Sequence, residues 1–332
     1  MAVWAAGGAP AAITDPGGGL LCVDLDATLV TAYSDKESAA GTYKGGFGFH
    51  PLLAYLDRGA GAGEALAGVL RPGNAGADTA GDRIDVFEAA LDQLEGLPEE
   101  VSVLVRADSA GATMEFLHYL RDADAGFSVS ARLTGPVRAA VRTLHTDPHA
   151  WTAATRQDGT PRDGAHVAEA TDLVDLAGFP PGTRLIRREP LHPGAQQTFD
   201  DLDGHRFTAT LTDQPDPDLA VLDARRRAHA RVERRIRDAK DTGLGCLPSA
   251  DYAINSIWLQ LALAAQDLLA VLACDGPLAV AARKTIRCRL LHVAAKIVRH
   301  ARRLRLRIDA TWPWADALVT AFTRSKALPL LT

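Results

Sequence analysis

Leu21-Cys22-Val23-Asp24-Leu25-Asp26-Ala27-Thr28-Leu29-Val30 is the stretch on which the reading of this 332-residue chain turns. Apolar residues surround two carboxylates at i and i+2, so a β-strand carries Asp24 and Asp26 on one face. Burying an unpaired carboxylate is costly. Two acids set into such a strand therefore point to metal binding or catalytic chemistry. The plainer alternative is an edge strand with two solvated acids.

Working outward, the pattern predicts strand one over 20–26, a second strand over 46–57 and a third over 65–70. The third is closed by Arg71-Pro72-Gly73-Asn74. Gly59-Ala60-Gly61-Ala62-Gly63 between the last two lacks the strand-to-helix setting of a dinucleotide loop and reads as a hairpin turn. Ile84, Phe87, Leu91 and Leu94 fall on one face of a helix over 79–94. Val101-Ser102-Val103-Leu104-Val105-Arg106-Ala107-Asp108 reads as a buried strand ending in an acid, where open α/β sheets carry reactive groups. The plainer role for Asp108 is a helix N-cap. A helix carrying Phe116, Leu117 and Leu120, a strand over 127–133 and a short helix over 135–144 follow.

Apolar residues make up 47% of the chain and charged ones 23%, as in ordinary folded proteins. The net charge of -5 conceals an asymmetry. Residues 221–332 carry 20 Lys+Arg against 9 Asp+Glu, a net of +11, whereas residues 1–220 carry 16 against 32, a net of -16. An acidic part suits metal chemistry and a basic part suits a polyanion. Cys22, Cys246, Cys274 and Cys288 have neither a disulfide framework nor zinc spacing, which fits a reducing cytoplasm. No signal peptide is read at the N-terminus. The apolar run from Ile257 to Cys274 is broken by Gln260, Gln266 and Asp267 and reads as a buried helix, so no membrane partner is expected.

The order of elements divides the chain into a flexible lead-in (1–19), a first core segment (20–145) and a β-rich insertion (146–218). A core helix (219–245) and a basic helical region (246–332) complete it. The histidines of the insertion, His166, His192 and His205, lack ligand spacing. The core helix runs over 225–244, and in it Glu233 stands among seven arginines and His229 between Asp223 and Asp238. Its plainest role is an i,i+4 partner for Arg237. Further helices are expected at 250–274 and 280–306, the second with enough Lys and Arg to line DNA phosphates.

Three strands, a helix, a strand, a helix and a strand is the order of the ribonuclease-H-like fold, a mixed α/β sheet flanked by helices. In it, the first and fourth strands lie side by side, bringing Asp26 to Asp108. Val23-Asp24-Leu25-Asp26-Ala27-Thr28, Ser34-Asp35-Lys36-Glu37, Gly46-Phe47-Gly48-Phe49-His50-Pro51, Arg71-Pro72-Gly73-Asn74-Ala75-Gly76, Val105-Arg106-Ala107-Asp108-Ser109-Ala110-Gly111 and Lys240-Asp241-Thr242-Gly243-Leu244 together resemble a DDE transposase. The type is that of bacterial insertion sequences, closest to the group numbered thirteen-eighty, with a β-rich insertion in a ribonuclease-H-like core. The resemblance spans about residues 20–315.

The resemblance implies that Asp26, Asp108 and Glu233 are the catalytic carboxylates and hold two Mg²⁺ ions, with Mn²⁺ as a substitute. It implies cleavage of double-stranded DNA at terminal inverted repeats, strand transfer into target DNA and a homodimer on DNA. The setting it implies is a bacterial cytoplasm, at the nucleoid. Glu233 precedes Lys240 by seven residues, as in the family's Tyr-Arg-Glu-Lys signature, but the Tyr and Arg positions hold Arg226 and His229. His229, Arg237 and Lys240 are the implied DNA-binding residues. Family members carry a DNA-binding region before the first Asp, and only 25 residues precede Asp26. A truncated copy, an inactive DNA-binding remnant, is thus an alternative. Asp24 and Asp26 also fit the Asp-x-Asp-x-Thr motif of haloacid-dehalogenase-like phosphatases, with Asp24 as nucleophile. No downstream Lys and paired-acid motif accompanies it.

Overall fold

The computed structural model describes residues 19–59, 63–76, 79–94, 100–182, 186–273, 276–279 and 281–327. The expected lead-in, all but Gly19, and the tip of the Gly59–Gly63 turn lie outside the described residues.

Leu20–Ala27 (β1) is the strand the sequence announces, and it sits inside a nine-stranded mixed sheet. On one side it pairs antiparallel with Leu52–Asp57 (β5), which pairs antiparallel with Gly63–Val69 (β6). On the other it runs parallel to Ser102–Ala107 (β7), which runs parallel to Ala125–Ala131 (β8). The resulting order, β6-β5-β1-β7-β8 with helices in the connections after β6 and β7, is that of the ribonuclease-H-like fold. Three short strands, Val30–Thr31 (β2), Ala40–Gly41 (β3) and Phe47–Phe49 (β4), form a separate small sheet.

The second expected strand is therefore two. It breaks at His50-Pro51, where Pro51 has no N–H to give to a ladder. Its carbonyl accepts from Thr28, while the His50 N–H bonds the Arg71 carbonyl. Gly48 is where β4 meets β2: its φ is +154°, and a Cβ there would lie 2.1 Å from the Val30 carbonyl oxygen.

Side chains alternate across the sheet, so each face acquires its own core. Leu21, Val23 and Leu25 of β1, with Leu52, Ala54 and Leu56 of β5, pack under Ala80–Asp92 (α1) and Met114–Asp122 (α2), against Phe87, Phe116, Leu117 and Leu120. Leu53 and Tyr55 face the other way. There they meet Val232 and Ile236 of Arg231–Ala239 (α5), and Leu259 and Leu263 of Tyr252–Leu272 (α6). Asp24 and Asp26 lie on this second face. Helix α6 is long and apolar enough, by length and composition alone, to cross a membrane. Here it packs on β6 and buries Asn255 and Gln266, and Gln266 bonds the Tyr55 hydroxyl.

The β-rich stretch after Gly135–Thr146 (α3) extends the same sheet. Thr152–Thr155 (β9), Pro161–Ala168 (β10), Ile186–Pro190 (β11) and His205–Thr212 (β12) add to it in the order β12-β11-β10-β9. β12 joins antiparallel to β8, and α3 packs on Phe207 and Ala209.

The expected core helix begins at Leu219, the first residue of the expected 219–245 segment and ahead of the 225–244 run, as Leu219–Arg227 (α4). Asp218 caps it by accepting from the Ala220 and Val221 N–H groups. It continues through a 3₁₀ turn at 228–230 into α5 and ends in a wide turn over Lys240–Leu244, where Gly243 has φ +146°. The expected helix over 280–306 is not formed. Short helical turns end at Leu291, and Ala295–His300 (β13) and Arg303–Ile308 (β14) form a hairpin. Arg303-Leu304-Arg305-Leu306-Arg307-Ile308 alternates with period two, and that period wins over the helical reading. A last helix, Ala315–Ala327 (α7), closes the chain; its neighbour Trp314 packs against it and carries the Arg289 guanidinium on its ring.

Gly48→Ala should destabilise the protein by about 2–3 kcal/mol, because the methyl meets backbone that cannot move aside. A denaturant midpoint unchanged from wild type would contradict this account of the β2–β4 junction.

Candidate functional site

The parallel pairing of β1 with β7 sets the site. Its register places Asp24 opposite Arg106 and Leu25 opposite Ala107. The next step along each strand reaches Asp26 and Asp108, side by side at the carboxyl ends of the two central strands. The strands thus carry an inner tier, Asp24 and Arg106, and an outer tier, Asp26 and Asp108.

The inner tier is closed. Arg106 is 1% exposed and Asp24 2%. Arg106 Nε and Nη2 donate to the two oxygens of Asp24 at 2.8 and 2.7 Å, and Nη2 also donates to Asp57 Oδ2 at 2.7 Å. Its remaining Nη1 donates to the Arg225 carbonyl at 2.9 Å, which ties helix α4 to the sheet. His229 Nδ1 lies 2.7 Å from Asp24 Oδ1, and Arg231 donates to Asp57 Oδ2. Burial pushes the Asp24 carboxyl up, but the Arg106 guanidinium and the His229 hydrogen bond outweigh it and hold Asp24 below the usual range.

The outer tier is open. Asp26 Oδ1 accepts from the Ala27 N–H, and Asp108 Oδ1 from the Ala110 N–H, so the expected capping role of Asp108 is also real. Glu233, on α5, makes no hydrogen bond or ion pair among the described residues, and its expected pairing with Arg237 is absent there. Asp26 is pushed up to about 6, first by burial; His229 works against this, and the nearby Asp108 and Glu233 charges add to it. The two acids contributed by other elements are therefore within electrostatic reach of Asp26. No three His, Cys, Asp or Glu side chains among the described residues converge tightly enough to ligate one ion.

A cavity of about 340 Å³ lies here, lined by Asp26, Thr28, Glu233, Ile236, Arg237 and Lys240. The seven-residue spacing of Glu233 and Lys240 brings both to one wall. Lys240 Nζ donates to the Leu29 carbonyl, and burial, with Lys44 nearby, lowers its affinity for a proton. Arg237 is exposed. Of the three expected DNA-binding residues, Arg237 and Lys240 thus reach the cavity. His229 is buried and committed to Asp24, so its ring is not offered to a phosphate. A larger cavity, about 640 Å³, opens at the opposite ends of these strands, near Leu20, Ser102 and Ala125. Sheets of this kind work at the carboxyl ends, and the carboxylates mark the smaller cavity.

The sequence reading gave no role to Arg106 or Asp57, and noted Arg226 only as the residue at the signature Tyr position. An arginine inside a strand as apolar as Val103-Leu104-Val105-Arg106-Ala107 was the available signal, because such a charge needs buried partners. Arg226, in the place of the signature Tyr, donates to the Ala107 carbonyl and the Ser130 hydroxyl, pinning α4 beside Asp108.

The chain matches the family model of the transposase DDE domain group 1 over residues 18–330, and it belongs to that family. It is similar, at a TM-score of 0.44 and 9% identity, to the piggyBac transposase in a cryo-electron-microscopy structure of a synaptic complex with hairpin DNA. That similarity covers 95% of this chain and 58% of the other, so the chain spans little more than half of that protein's length. Comparison with the curated proteins gave no match.

Two outcomes follow. Arg106→Met should cost about 3–5 kcal/mol in denaturant unfolding, because it strands two buried carboxylates. Asp26→Asn should act in the opposite direction. A carboxyl raised from 3.8 to about 6 on folding contributes stability that is full below pH 4 and lost as pH rises through about 6. The Asn variant, in a chelator, should therefore melt higher than wild type above pH 6, by roughly 1–3 kcal/mol, with the gap closing below pH 4. Equal melting at pH 8 would refute the crowding of the outer tier.

Proposed function

We propose that this member of the DDE transposase family cuts duplex DNA at the ends of a mobile element and joins the freed 3′ ends to target DNA. The reading extends to a bacterial insertion sequence of the thirteen-eighty type, acting at the nucleoid as a homodimer that holds two ends together. The observation that carries it is Glu233, an acid among arginines that has no described partner and shares a cavity with Asp26, Lys240 and Arg237, while Asp108 lies near enough to help raise Asp26.

Asp26, Asp108 and Glu233 are the residues that would hold divalent cations. They offer only hard oxygen donors, suited to Mg²⁺ or Mn²⁺, and their mutual repulsion is what a cation relieves. When bound, such ions activate the attacking oxygen and stabilise the leaving one. Lys240 and Arg237 orient the scissile phosphate by charge, while the Ile236 side chain limits water at one wall. Water attacks the phosphorus first and displaces the 3′ oxygen, and the freed 3′-OH then attacks a target phosphorus and displaces the 3′ oxygen of the target strand. The basic residues beyond 221 neutralise the duplex backbone.

Two observations favour this over the phosphatase reading. Both oxygens of Asp24, its required nucleophile, are engaged by Arg106 and His229, and the outer-tier acids come from three separate elements. The test is Mg²⁺-dependent nicking of a duplex carrying the element's terminal repeats. Asp108→Asn should abolish nicking and leave salt-sensitive DNA binding intact; retained nicking would sink the assignment. Binding of wild-type protein to DNA without nicking would point to an inactive remnant, and hydrolysis of small phosphate esters to a phosphatase.

Metal affinity should track the protonation of Asp26. Mn²⁺ binding, followed by titration calorimetry, should weaken as pH falls below about 6, approaching tenfold per unit. Affinity independent of pH between 5 and 7 would remove Asp26 from the ligand set.

A further inference from the structure

Between Asp275 and Asp309 the sequence has no acid and ten Lys or Arg. Six of these, Lys296, Arg299, Arg302, Arg303, Arg305 and Arg307, lie on the β13–β14 hairpin or its turn. Its cross-strand register sorts them. Lys296 stands opposite Arg307, Val298 opposite Arg305, and His300 opposite Arg303. Partners directly opposite share a face, so Lys296, Arg303, Arg305, Arg307 and His300 make one cationic side around Val298. The other side carries Arg299 near the turn, with Ile297, Leu304 and Leu306 exposed at 77%, 73% and 50%.

Three features make this an unusual surface. The hairpin pairs with no third strand among the described residues, and two-stranded ribbons of this kind are marginal on their own. Like charges stand directly opposite each other, which weakens it further. None of the six cations has an ion-pair partner among the described residues, although ion pairs are numerous elsewhere in the structure. The turn is built from Ala301 and Arg302 at φ +47° and +64°, the geometry of a type I′ turn, which residues with side chains seldom adopt. The ribbon thus projects a regular row of arginines, about 6.8 Å apart along β14, with no described acid to neutralise them.

We infer that the β13–β14 hairpin is a DNA-binding ribbon whose Lys296, Arg303, Arg305 and Arg307 face meets the phosphates of duplex DNA. The inference rests on the transposase reading and gives it a second DNA-binding surface, separate from the carboxylate cavity. A two-stranded ribbon has the width to enter the major groove, and the cross-strand repulsion is relieved only when a polyanion lies on that face. Duplex DNA is favoured over an anionic membrane by the transposase family to which the chain belongs. Cations on one face and Ile297, Leu304 and Leu306 on the other are also the pattern of a membrane-surface element, so vesicle binding is measured beside DNA binding.

The test uses the full chain in a chelator and a 30-base-pair duplex of arbitrary sequence, followed by fluorescence anisotropy across salt concentrations. Arg303→Gln/Arg305→Gln/Arg307→Gln should bind about ten- to a hundredfold more weakly near physiological salt. Its salt slope should fall by about 2–3, near one for each phosphate that the variant no longer neutralises. The matching triple Arg→Lys variant keeps the charge and should restore both values, which separates charge from folding. If wild type binds with a steep salt slope and the Gln triple matches it, the hairpin inference fails and the transposase reading stands. If wild type binds no duplex at any salt, both fail together. Loss of binding to phosphatidylserine–phosphatidylcholine vesicles, with DNA binding untouched, would assign the surface to a membrane and overturn the inference. Equal loss of DNA binding in both triples would overturn it too, because charge would then not be what the duplex meets.

Discussion

Everything at the centre of this molecule depends on one buried arginine. Arg106 spends its guanidinium on Asp24, Asp57 and the Arg225 carbonyl, so one side chain joins β7 to β1, β5 and the helix above them. Such a network is weak evidence for net stability, since apolar residues of equal volume can do as well. What it supplies is position. A parallel strand pair slipped by one residue would move every side chain to the opposite face, and a mismatched Asp24 would be left charged in the core. The inner tier thus holds the register that puts Asp26 beside Asp108.

The same arrangement separates neutralised charge from uncompensated charge over a distance of two residues along each strand. Asp24 is held below the usual carboxylate range, whereas Asp26, one tier outward on the same face, is pushed up to about 6. His229 sits between them, bonded to Asp24 and opposing the upward shift of Asp26. Glu233 enters from a helix whose neighbouring cations are engaged elsewhere: Arg226 on a strand carbonyl, Arg231 on Asp57, and Arg235 on the Gly59 carbonyl. An arginine-rich segment can therefore present an unpaired carboxylate: Arg226, Arg231 and Arg235 serve the scaffold, and Arg237 stays exposed at the cavity.

Much of this was legible from the chain alone. The i, i+2 carboxylates predicted a strand face, and the order of strands and helices predicted that Asp26 and Asp108 would meet. Glu233 was identified only through the resemblance, since within its helix it reads as an ordinary surface partner of Arg237. Three things were not legible. Single-strand periodicity cannot say which of two acids on one face is neutralised; Asp24 and Asp26 differ only through Arg106, 82 residues distant. The expected insertion has the short alternating runs that sequence reveals, but whether such strands fold apart or extend an existing sheet is decided by the free edge of β8. The helix expected over 280–306 failed because only its last part, Arg303–Ile308, alternates with period two, while the positive charge spread among Leu and Val before it suits a helix and a ribbon alike.

The hairpin bears on how the basic C-terminal third of the protein can act. A helix would spread its arginines around a cylinder, some toward DNA and some toward solvent. The ribbon collects Lys296, Arg303, Arg305 and Arg307 on one side and sends Ile297, Leu304 and Leu306 to the other. Cations gathered on one flat face could all meet a duplex backbone at once. Without a duplex they repel across the strand pair, so the ribbon is least strained when a polyanion covers it. The carboxylate site obeys the same logic with the sign reversed, since Asp26 is raised by acids that a cation would neutralise. Both surfaces are built of like charges held together by the fold, an arrangement that a partner of opposite charge would relieve.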